Sequence, residues 1–371
     1  MANSAAIRSQ RSLASHRAPC GPPSSSPSER RITSRASGTR FSASIITVRR
    51  ALEELQENKI ITKVKGKGSI VTAKIRSAGA PVDKNIGILN LSDSLSPETN
   101  YPSVPFKKEL YNQNDWKNII YTEIFNTLSH KFNLILGTYS SDELINNFES
   151  TVFANINRIF IAGYYNSKII EFLQSKGKLI VVYNNFDKNI NVCSVISDER
   201  EKVRQLVEKL IHFGHTSIAA INGNMQVSES VERFMGYQSA MINNNVALDM
   251  EKIKWGNFTA ESGYHLTKQL LSAANRPTAI ICVNDNVALG CLEAIKDSGL
   301  RCPEDISVVG HDCNTALIHY TKPKLTTIDP HFKLIGKKIA EKLVREIWID
   351  DITVVESTIV ETRSISAPPK L

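Results

Sequence analysis

Basic residues in two neighbouring segments have the types and spacing that nucleic-acid binding requires. Arg49 and Arg50 follow Thr47 at the start of a predicted helix. Helix N-termini and arginine both favour phosphate, and arginine can also read guanine in the major groove. A hairpin predicted soon afterwards would contact the DNA backbone through Lys63, Lys65, Gly66, Lys67 and Gly68. Two arginines on a helix usually mark a solvated face, but a Gly-Lys-Gly hairpin at this distance favours DNA binding.

The distribution of charge supports the same interpretation. The 371 residues carry a net charge of +8. Residues 1–76 hold 15 Lys and Arg against 4 Asp and Glu, whereas the remaining 295 residues hold 30 basic and 33 acidic residues. A basic module joined to a near-neutral one is typical of a nucleic-acid-binding head on a separate body. A solvated basic tail without a partner is the alternative.

Several other function classes lack their sequence signals. The chain has no Gly-x-Ser-x-Gly elbow, no P-loop and no dinucleotide fingerprint, so we expect no enzyme and no cofactor. The eight histidines and six cysteines show no metal-ligand spacing and suggest no disulfide framework. No apolar stretch approaches a membrane span or a secretory signal. We therefore expect a cytoplasmic protein with no membrane partner, with an organellar transit peptide as the minority alternative.

The elements that carry the basic residues are short. Ser44 can cap a helix that runs to about Asn58, and strands are predicted at Ile60–Val64 and Ser69–Thr72. Residues 1–43 are rich in Ser and Arg and have no apolar period, so we expect no regular structure there. Residues 74–85 are predicted to be a linker.

From residue 86 onward, apolar runs alternate with amphipathic stretches. The predicted strands are Ile86–Leu91, Asn133–Gly137, Ile159–Gly163, Leu179–Tyr183, Ile218–Ile221, Thr278–Val283 and Ile306–Gly310. The predicted helices cover 115–131, 166–176, 200–213, 229–243, 260–274, 286–298 and 333–348. This alternation indicates an α/β body with doubly wound parallel sheets, and its length favours two lobes. Residues 92–114 are a long polar insert, predicted to be a loop over one sheet edge.

Residues 44–73, SIITVRRALEELQENKIITKVKGKGSIVTA, resemble the recognition helix and wing of GntR-type repressors. A Pro-Ser-Glu-Arg motif at residues 27–30 also matches that family. The resemblance implies a small α+β winged-helix head. It also gives Thr47 and the basic residues around it the role of DNA contacts.

Residues 86–366 resemble the effector domain of LacI/GalR-type repressors, which has a periplasmic-binding-protein-like fold. The stretches that carry the resemblance are LIHFGHTSIAAING at 210–223, ERFMGYQSAM at 232–241, RPTAIICVNDNVALGCLEAIKDSGLRCPEDISVVGHD at 276–312, and KLTTID at 324–329. A GntR-type head on such a body is similar to arabinose-repressor-type regulators.

The resemblance implies a sugar pocket between two lobes. It assigns effector contacts to Arg233, Asn284, Asp312 and Asp198. An arginine fork with acid and amide oxygens suits a polyol, and an aromatic ring can cover its apolar face. The aromatic candidates are Tyr164, Tyr183 and Phe106.

Structural roles for the same residues stay open at this point. Asp312 could be a turn cap, Asn284 a helix cap, and Arg233 a partner in a salt bridge on a helix face. The resemblance as a whole predicts a homodimeric, sugar-responsive repressor that binds operator DNA. A sugar-binding module that has lost DNA binding is the alternative.

Overall fold

The computed structural model describes residues 31–32, 53, 56, 61–64, 68–71, 75–76, 84–93, 101–102, 104, 116–184, 189–346 and 348–370. The chain forms two compact units. One, the head, ends at Ala73, and the other, the body, begins at Lys74. None of the described helices is long and apolar enough to cross a membrane.

Most of the described residues of the head form a small antiparallel sheet. Its strands are β1 (Arg31–Ile32), β2 (Ile61–Val64) and β3 (Gly68–Val71), in the order β1-β3-β2. The predicted hairpin is confirmed, with Ile61 opposite Val71. Gly68, predicted in the turn, instead begins β3, and β1 lies in the segment for which we expected no regular structure.

Most of the predicted DNA contacts lie outside the described residues. These are Thr47, Arg49, Arg50, Lys65, Gly66 and Lys67. Lys63 lies on β2, and two residues of the predicted helix, Glu53 and Gln56, are helical.

The first lobe of the body, the N lobe, is built on a six-stranded parallel sheet. Its order is β16-β9-β8-β7-β5-β6. The strands are β5 (Asn85–Leu91), β6 (Asn133–Tyr139), β7 (Arg158–Ala162), β8 (Leu179–Tyr183), β9 (Cys193–Ser197) and β16 (Ile352–Val355). The helices beside it are α1 (Trp116–Leu128), α2 (Ser141–Asn147), α3 (Ser167–Ser175) and α9 (Phe332–Leu343).

The second lobe, the C lobe, has a four-stranded parallel sheet in the order β11-β10-β12-β13. Its strands are β10 (Ile218–Asn222), β11 (Ile253–Trp255), β12 (Ala279–Cys282) and β13 (Ser307–Val309). Its helices are α4 (Glu199–His212), α5 (Ser228–Asn243), α6 (Ala260–Ser272), α7 (Asp285–Lys296) and α8 (Thr315–Tyr320). The predicted parallel sheets are confirmed in both lobes.

The chain passes between the lobes at three places, namely β9 to α4, β14 (Thr327–Asp329) to α9, and β16 to β17 (Thr358–Val360). β14 and β17 pair antiparallel. Side chains tie the crossings together. The carboxylate of Asp198 accepts a hydrogen bond from Ser357 N at 2.7 Å, and His331 Nε2 lies 2.9 Å from Thr358 Oγ1.

Each sheet reverses its winding direction at one point. β5 is followed along the chain by β6 on one side and β7 on the other, and β10 by β11 and β12. Ligands of open parallel sheets bind at the carboxyl ends of the strands at such switch points. In the C lobe this point lies at Asn222, the last residue of β10, and at Val283, the first residue after β12.

The start of the body is fastened to the N lobe. β4 (Ile75–Arg76) pairs antiparallel with β15 (Trp348–Ile349). Buried Arg158 holds the segment between α9 and β15, because its Nη1 donates to Leu343 O at 2.7 Å and Arg345 O at 2.8 Å. The residues before β15, and β4 that pairs with β15, are therefore held on the N lobe.

Helices α6 and α7 cross at glycines. A Cβ atom on Gly290 would lie 1.9 Å from Ala260 O, and one on Gly263 would lie 2.2 Å from Val287 O. These contacts are with backbone, which cannot move aside without shifting a helix. The crossing therefore has no room for any larger residue.

We expect Gly290→Ala to lower the free energy of unfolding by about 1–3 kcal/mol, the usual cost of overpacking. Denaturant unfolding of the full chain measures it. Lys296→Ala, on the exposed side of the same helix, is the control and should change the value by less than about 0.5 kcal/mol. Equal stability of both variants would contradict the close crossing.

Candidate functional site

A buried ion pair joins the first turn of α4 to α5. Arg233 Nε donates to Glu199 Oε2 at 2.6 Å, and Arg233 Nη2 lies 3.4 Å from Glu199 Oε1. Arg233 Nη1 donates to Val283 O at 2.6 Å, directly after β12. The Glu199 side chain is 0% exposed and that of Arg233 11%. Burial alone would raise the pKa of Glu199, but Arg233 and His311 hold it well below its usual value.

His311 and Asp312 complete this group after β13. His311 Nε2 lies 2.9 Å from Glu199 Oε2, and its Nδ1 lies 2.9 Å from Asp312 Oδ1. Asp312 Oδ1 is also 3.5 Å from Arg233 Nη2. Burial and Arg233 lower the pKa of His311, but the two carboxylates outweigh them and the pKa ends above its usual value. We call Glu199, Arg233, His311 and Asp312 the charged quartet.

Asp312 is the exposed member of the quartet. Its side chain is 23% exposed, and its backbone has φ +97°, a conformation that L residues rarely adopt. Such strain costs about 1–3 kcal/mol and clusters at ligand sites. A carboxylate held this way, beside an arginine and at a strand end, can accept hydrogen bonds from a ligand.

Residues of the N lobe contact the carboxylate of Glu199. Its Oε1 accepts a hydrogen bond from Ser197 Oγ at 2.6 Å and another from Asn184 Nδ2 at 3.3 Å. Ser197 N donates to Asn184 Oδ1 at 2.9 Å, and Tyr183 OH lies 3.1 Å from Ser197 Oγ. Glu199 therefore lies where the lobes meet and responds to both.

Asn284 uses its amide inside the protein. Its Oδ1 accepts from Val287 N at 2.9 Å and caps α7, and its Nδ2 donates to Phe258 O at 3.2 Å. The Phe258 ring lies against Gly223, where a Cβ atom would approach the ring to 2.2 Å. Asn284 thus positions an aromatic residue at the carboxyl end of β10. Sequence reasoning missed Phe258, because the three-residue strand that precedes it, β11, was not predicted.

The other predicted residues that the structure describes lie outside the quartet, although Tyr183 is linked to it through Ser197. Tyr183 is buried, with its ring centroid 5.4 Å from that of Trp116 and 6.3 Å from that of Phe332. Tyr164 is partly exposed after β7. Asp198 belongs to the crossings between lobes and not to the quartet. Phe106 lies outside the described residues.

The C lobe also has a groove away from the quartet. It has a volume of about 880 Å³ and is lined by α7, the 300–304 loop and residues 320–323. It contains none of the predicted ligand residues. The chemistry of the quartet, and not the size of this groove, identifies the candidate site.

Buried Asp285 lies directly behind the quartet. Its Oδ2 accepts from Asn314 N and its Oδ1 from Thr327 Oγ1, each at 2.7 Å. Burial, helped by the charge of Asp312, raises the pKa of Asp285 to about 8. Gly310 permits this arrangement, since a Cβ atom there would lie 2.2 Å from Asp285 Oδ1.

We expect Asp285 to make the protein less stable as pH rises from about 4 to about 8. Its pKa is higher in the folded than in the unfolded state, so the folded state binds more protons throughout this interval. The stability of Asp285→Asn relative to the parent should therefore increase with pH. Denaturant unfolding of both proteins at pH 5, 7 and 8.5 measures it, and a difference that does not change with pH would contradict the assignment.

Comparisons with known proteins agree with this architecture. Residues 207–366 match the family described as periplasmic binding protein-like domain. The chain is 29% identical over 267 residues to a probable HTH-type transcriptional repressor, ExuR of Bacillus subtilis, which covers 67% of this chain and 80% of that protein. It is 39% identical over 153 residues to the repressor PurR of Vibrio vulnificus. The aligned residues make up 41% of this chain and 46% of PurR, so the match spans about half of PurR.

Solved structures show the same fold. The complex of the transcriptional regulator CelR with cellobiose has a TM-score of 0.65 at 22% identity, over 86% of this chain and 90% of that one. A dimeric Lac repressor has a TM-score of 0.65 at 21% identity, and the match covers 76% of this chain and 100% of the repressor chain. A LacI-family regulator from Enterococcus faecium with bound ribose has a TM-score of 0.60 at 22% identity, over 76% and 99%. The body of this chain therefore has the α/β fold of these LacI-type transcriptional regulators, and its residues 207–366 match the periplasmic binding protein-like family.

Proposed function

We propose that this chain is a ligand-responsive transcriptional repressor whose body binds a small sugar or sugar-like effector. The observation that carries the proposal is the charged quartet, which lies at the carboxyl ends of the C-lobe strands and contacts the N lobe through Glu199. The similarity to a probable transcriptional repressor and to a transcriptional regulator complexed with cellobiose supports the same function.

The quartet favours an effector with several hydroxyl groups. Asp312 offers acceptor oxygens, and the guanidinium of Arg233 offers N–H donors beside it. The ring of Phe258 can cover an apolar sugar face. The quartet holds two carboxylates and one permanent cation, Arg233, which favours a neutral group over an anionic one at this end of the cleft.

The three crossings suggest how binding is read out. An effector held by both lobes stabilises the lobe arrangement that it binds, and operator affinity changes if the head binds DNA better in the other arrangement. The effector then acts by a population shift. We further propose a homodimer in the cytoplasm, in line with the dimeric Lac repressor among the matched structures.

We propose a GntR-type winged helix for the head. The β1-β3-β2 sheet, with a hairpin after a helical segment, supports it. The sequence places Arg49 and Arg50 on the recognition helix and Lys67 on the wing. Base contacts specify a site, whereas backbone contacts only position the protein.

We expect Arg49→Ala and Arg50→Ala each to weaken operator binding by about 1–3 kcal/mol, the value of a bidentate guanine contact. Lys67→Ala should weaken binding to all DNA about equally. Gel-shift titrations against a duplex selected from a random library, and against a scrambled duplex, measure both effects. Unchanged operator affinity in both arginine variants would refute the recognition helix.

A thermal-shift screen of pentoses, hexoses and their phosphates tests the effector. A sugar at about 100 times its dissociation constant should add roughly 2.7 kcal/mol of stability. Gel shifts across a range of salt concentrations test the head, because DNA affinity should fall with a slope of about −0.9 per neutralised phosphate. Sugar binding without DNA binding would leave the alternative, a sugar-binding module whose head is inactive.

A further inference from the structure

The connection between β5 and α1 starts and ends on the N lobe. At its start, the carboxylate of Asp93 accepts a hydrogen bond from Ser141 N at 2.8 Å, at the beginning of α2. At its end, the Trp116 ring packs on Tyr183 and Phe332 of the N lobe. Both ends of the connection therefore move with this lobe.

Between these ends, the connection binds the C lobe. Tyr101 OH donates to Trp255 O at 3.4 Å, and the Tyr101 ring stacks on His265 with centroids 6.0 Å apart and an interplanar angle of 14°. His265 Nε2 lies 3.0 Å from Pro102 O. Tyr101 also packs against the core formed by β10, β12 and α7. We call Tyr101, Pro102, Trp255 and His265 the clip.

The clip lies at the rim of the candidate site. Trp255 ends β11 and is paired with Asn222, the last residue of β10. The carboxyl ends of these strands form the edge of the sheet that also holds Val283, the contact of Arg233. The clip thus joins the lobes along the edge at which an effector would enter.

We propose that Tyr101 and His265 are positioning residues of the effector site, which hold the lobes in the arrangement that binds effector. Tyr101 and Pro102 belong to the polar insert at 92–114 that the sequence predicts. Their contacts with the C lobe indicate that this insert links the two lobes. An effector gains apparent affinity when its binding-competent arrangement is already populated. The effect on effector affinity rests on the proposed function, whereas the effect on the lobes does not.

A measurement without effector tests the clip directly. Spin labels attached through p-acetylphenylalanine at Glu171 and Asn275, two exposed positions on different lobes, report the lobe separation in the full chain. Tyr101→Ala and His265→Ala should each add a population at longer distance, and the double variant should add no more than either single variant. Tyr101→Phe keeps the ring stack and should shift less.

Tyr320→Ala, at an exposed tyrosine of α8, is the matched control and should leave the distances unchanged. Distance distributions of Tyr101→Ala and His265→Ala identical to that of the parent would overturn the proposal.

Calorimetric titration then tests the link to binding, with the pentose, hexose or sugar phosphate that gives the largest thermal shift. Its dissociation constant should rise about 10-fold in Tyr101→Ala, because the competent arrangement becomes less populated. An unchanged constant despite longer lobe distances would refute the positioning role. If no sugar in the panel binds, the proposed function fails, and the label distances still decide whether the clip holds the lobes.

Discussion

Arg233→Ala is expected to lower the free energy of unfolding by about 3–5 kcal/mol, the cost of removing one partner from a buried ion pair. Glu199 is fully buried, and Arg233 supplies two of its close contacts, at 2.6 and 3.4 Å. Without the guanidinium, the carboxylate would have to stay charged beside His311 or take up a proton. Either outcome destabilises the folded state far more than the loss of a surface ion pair would.

Denaturant unfolding of the full chain measures this effect, and a paired variant identifies its cause. Arg233→Met combined with Glu199→Gln removes both charges and keeps much of the side-chain volume, so it should be more stable than Arg233→Ala. If the double variant is the less stable of the two, the buried unpaired carboxylate is not the cause. A loss below about 1 kcal/mol in Arg233→Ala would show that the pair is exposed in solution.

Asp312→Gly is expected to weaken effector binding by about 1.5–3 kcal/mol, the value of a hydrogen bond to a charged group. Its effect on folding should be much smaller. Glycine relieves the strain of φ +97°, which offsets the lost contact with His311. The variant should therefore keep its operator affinity and fail to respond to effector.

Calorimetric titration of the sugar with the largest thermal shift measures the affinity, alongside denaturant unfolding. Asn245→Gly is the matched control, because Asn245 also has a positive φ, +55°, but lies on an exposed turn after α5. It should leave the affinity unchanged. Parent-like affinity in Asp312→Gly would remove this residue from the effector site.

The sequence predicts the body well because the central strands of both sheets are buried on both faces. Continuous Ile, Val and Leu runs identify β5, β7, β8, β10 and β12, and amphipathic helices lie between them. The later strands β14, β16 and β17 are only three or four residues long and carry many polar or exposed residues. Such strands form because tertiary structure brings partners to them, and their local sequence gives little signal.

The site is harder to predict for a related reason. The resemblance brings Arg233 and Asp312 to one cleft, and the structure places them 3.5 Å apart. Glu199 was not predicted, because an acid in the first turn of a helix is explained by the helix dipole alone. The prediction fell on its neighbour Asp198, whose side chain points to the crossing at Ser357. Asp198 and Glu199 are neighbours at a strand-to-helix junction, but their side chains point to different places, one to Ser357 and the other to Arg233. The sequence alone does not show which of the two acids faces the site.

The fastening of β4 to β15 has a mechanical consequence. Ile75 and Arg76 are paired with Trp348 and Ile349 on the N lobe, so the body's first residues turn as that lobe turns. α9 spans the N lobe from Phe332, whose ring lies beside that of Tyr183, to Leu343, whose carbonyl oxygen accepts a hydrogen bond from Arg158. A rotation of the N lobe about the three crossings would therefore turn residues 75 and 76 through the same angle.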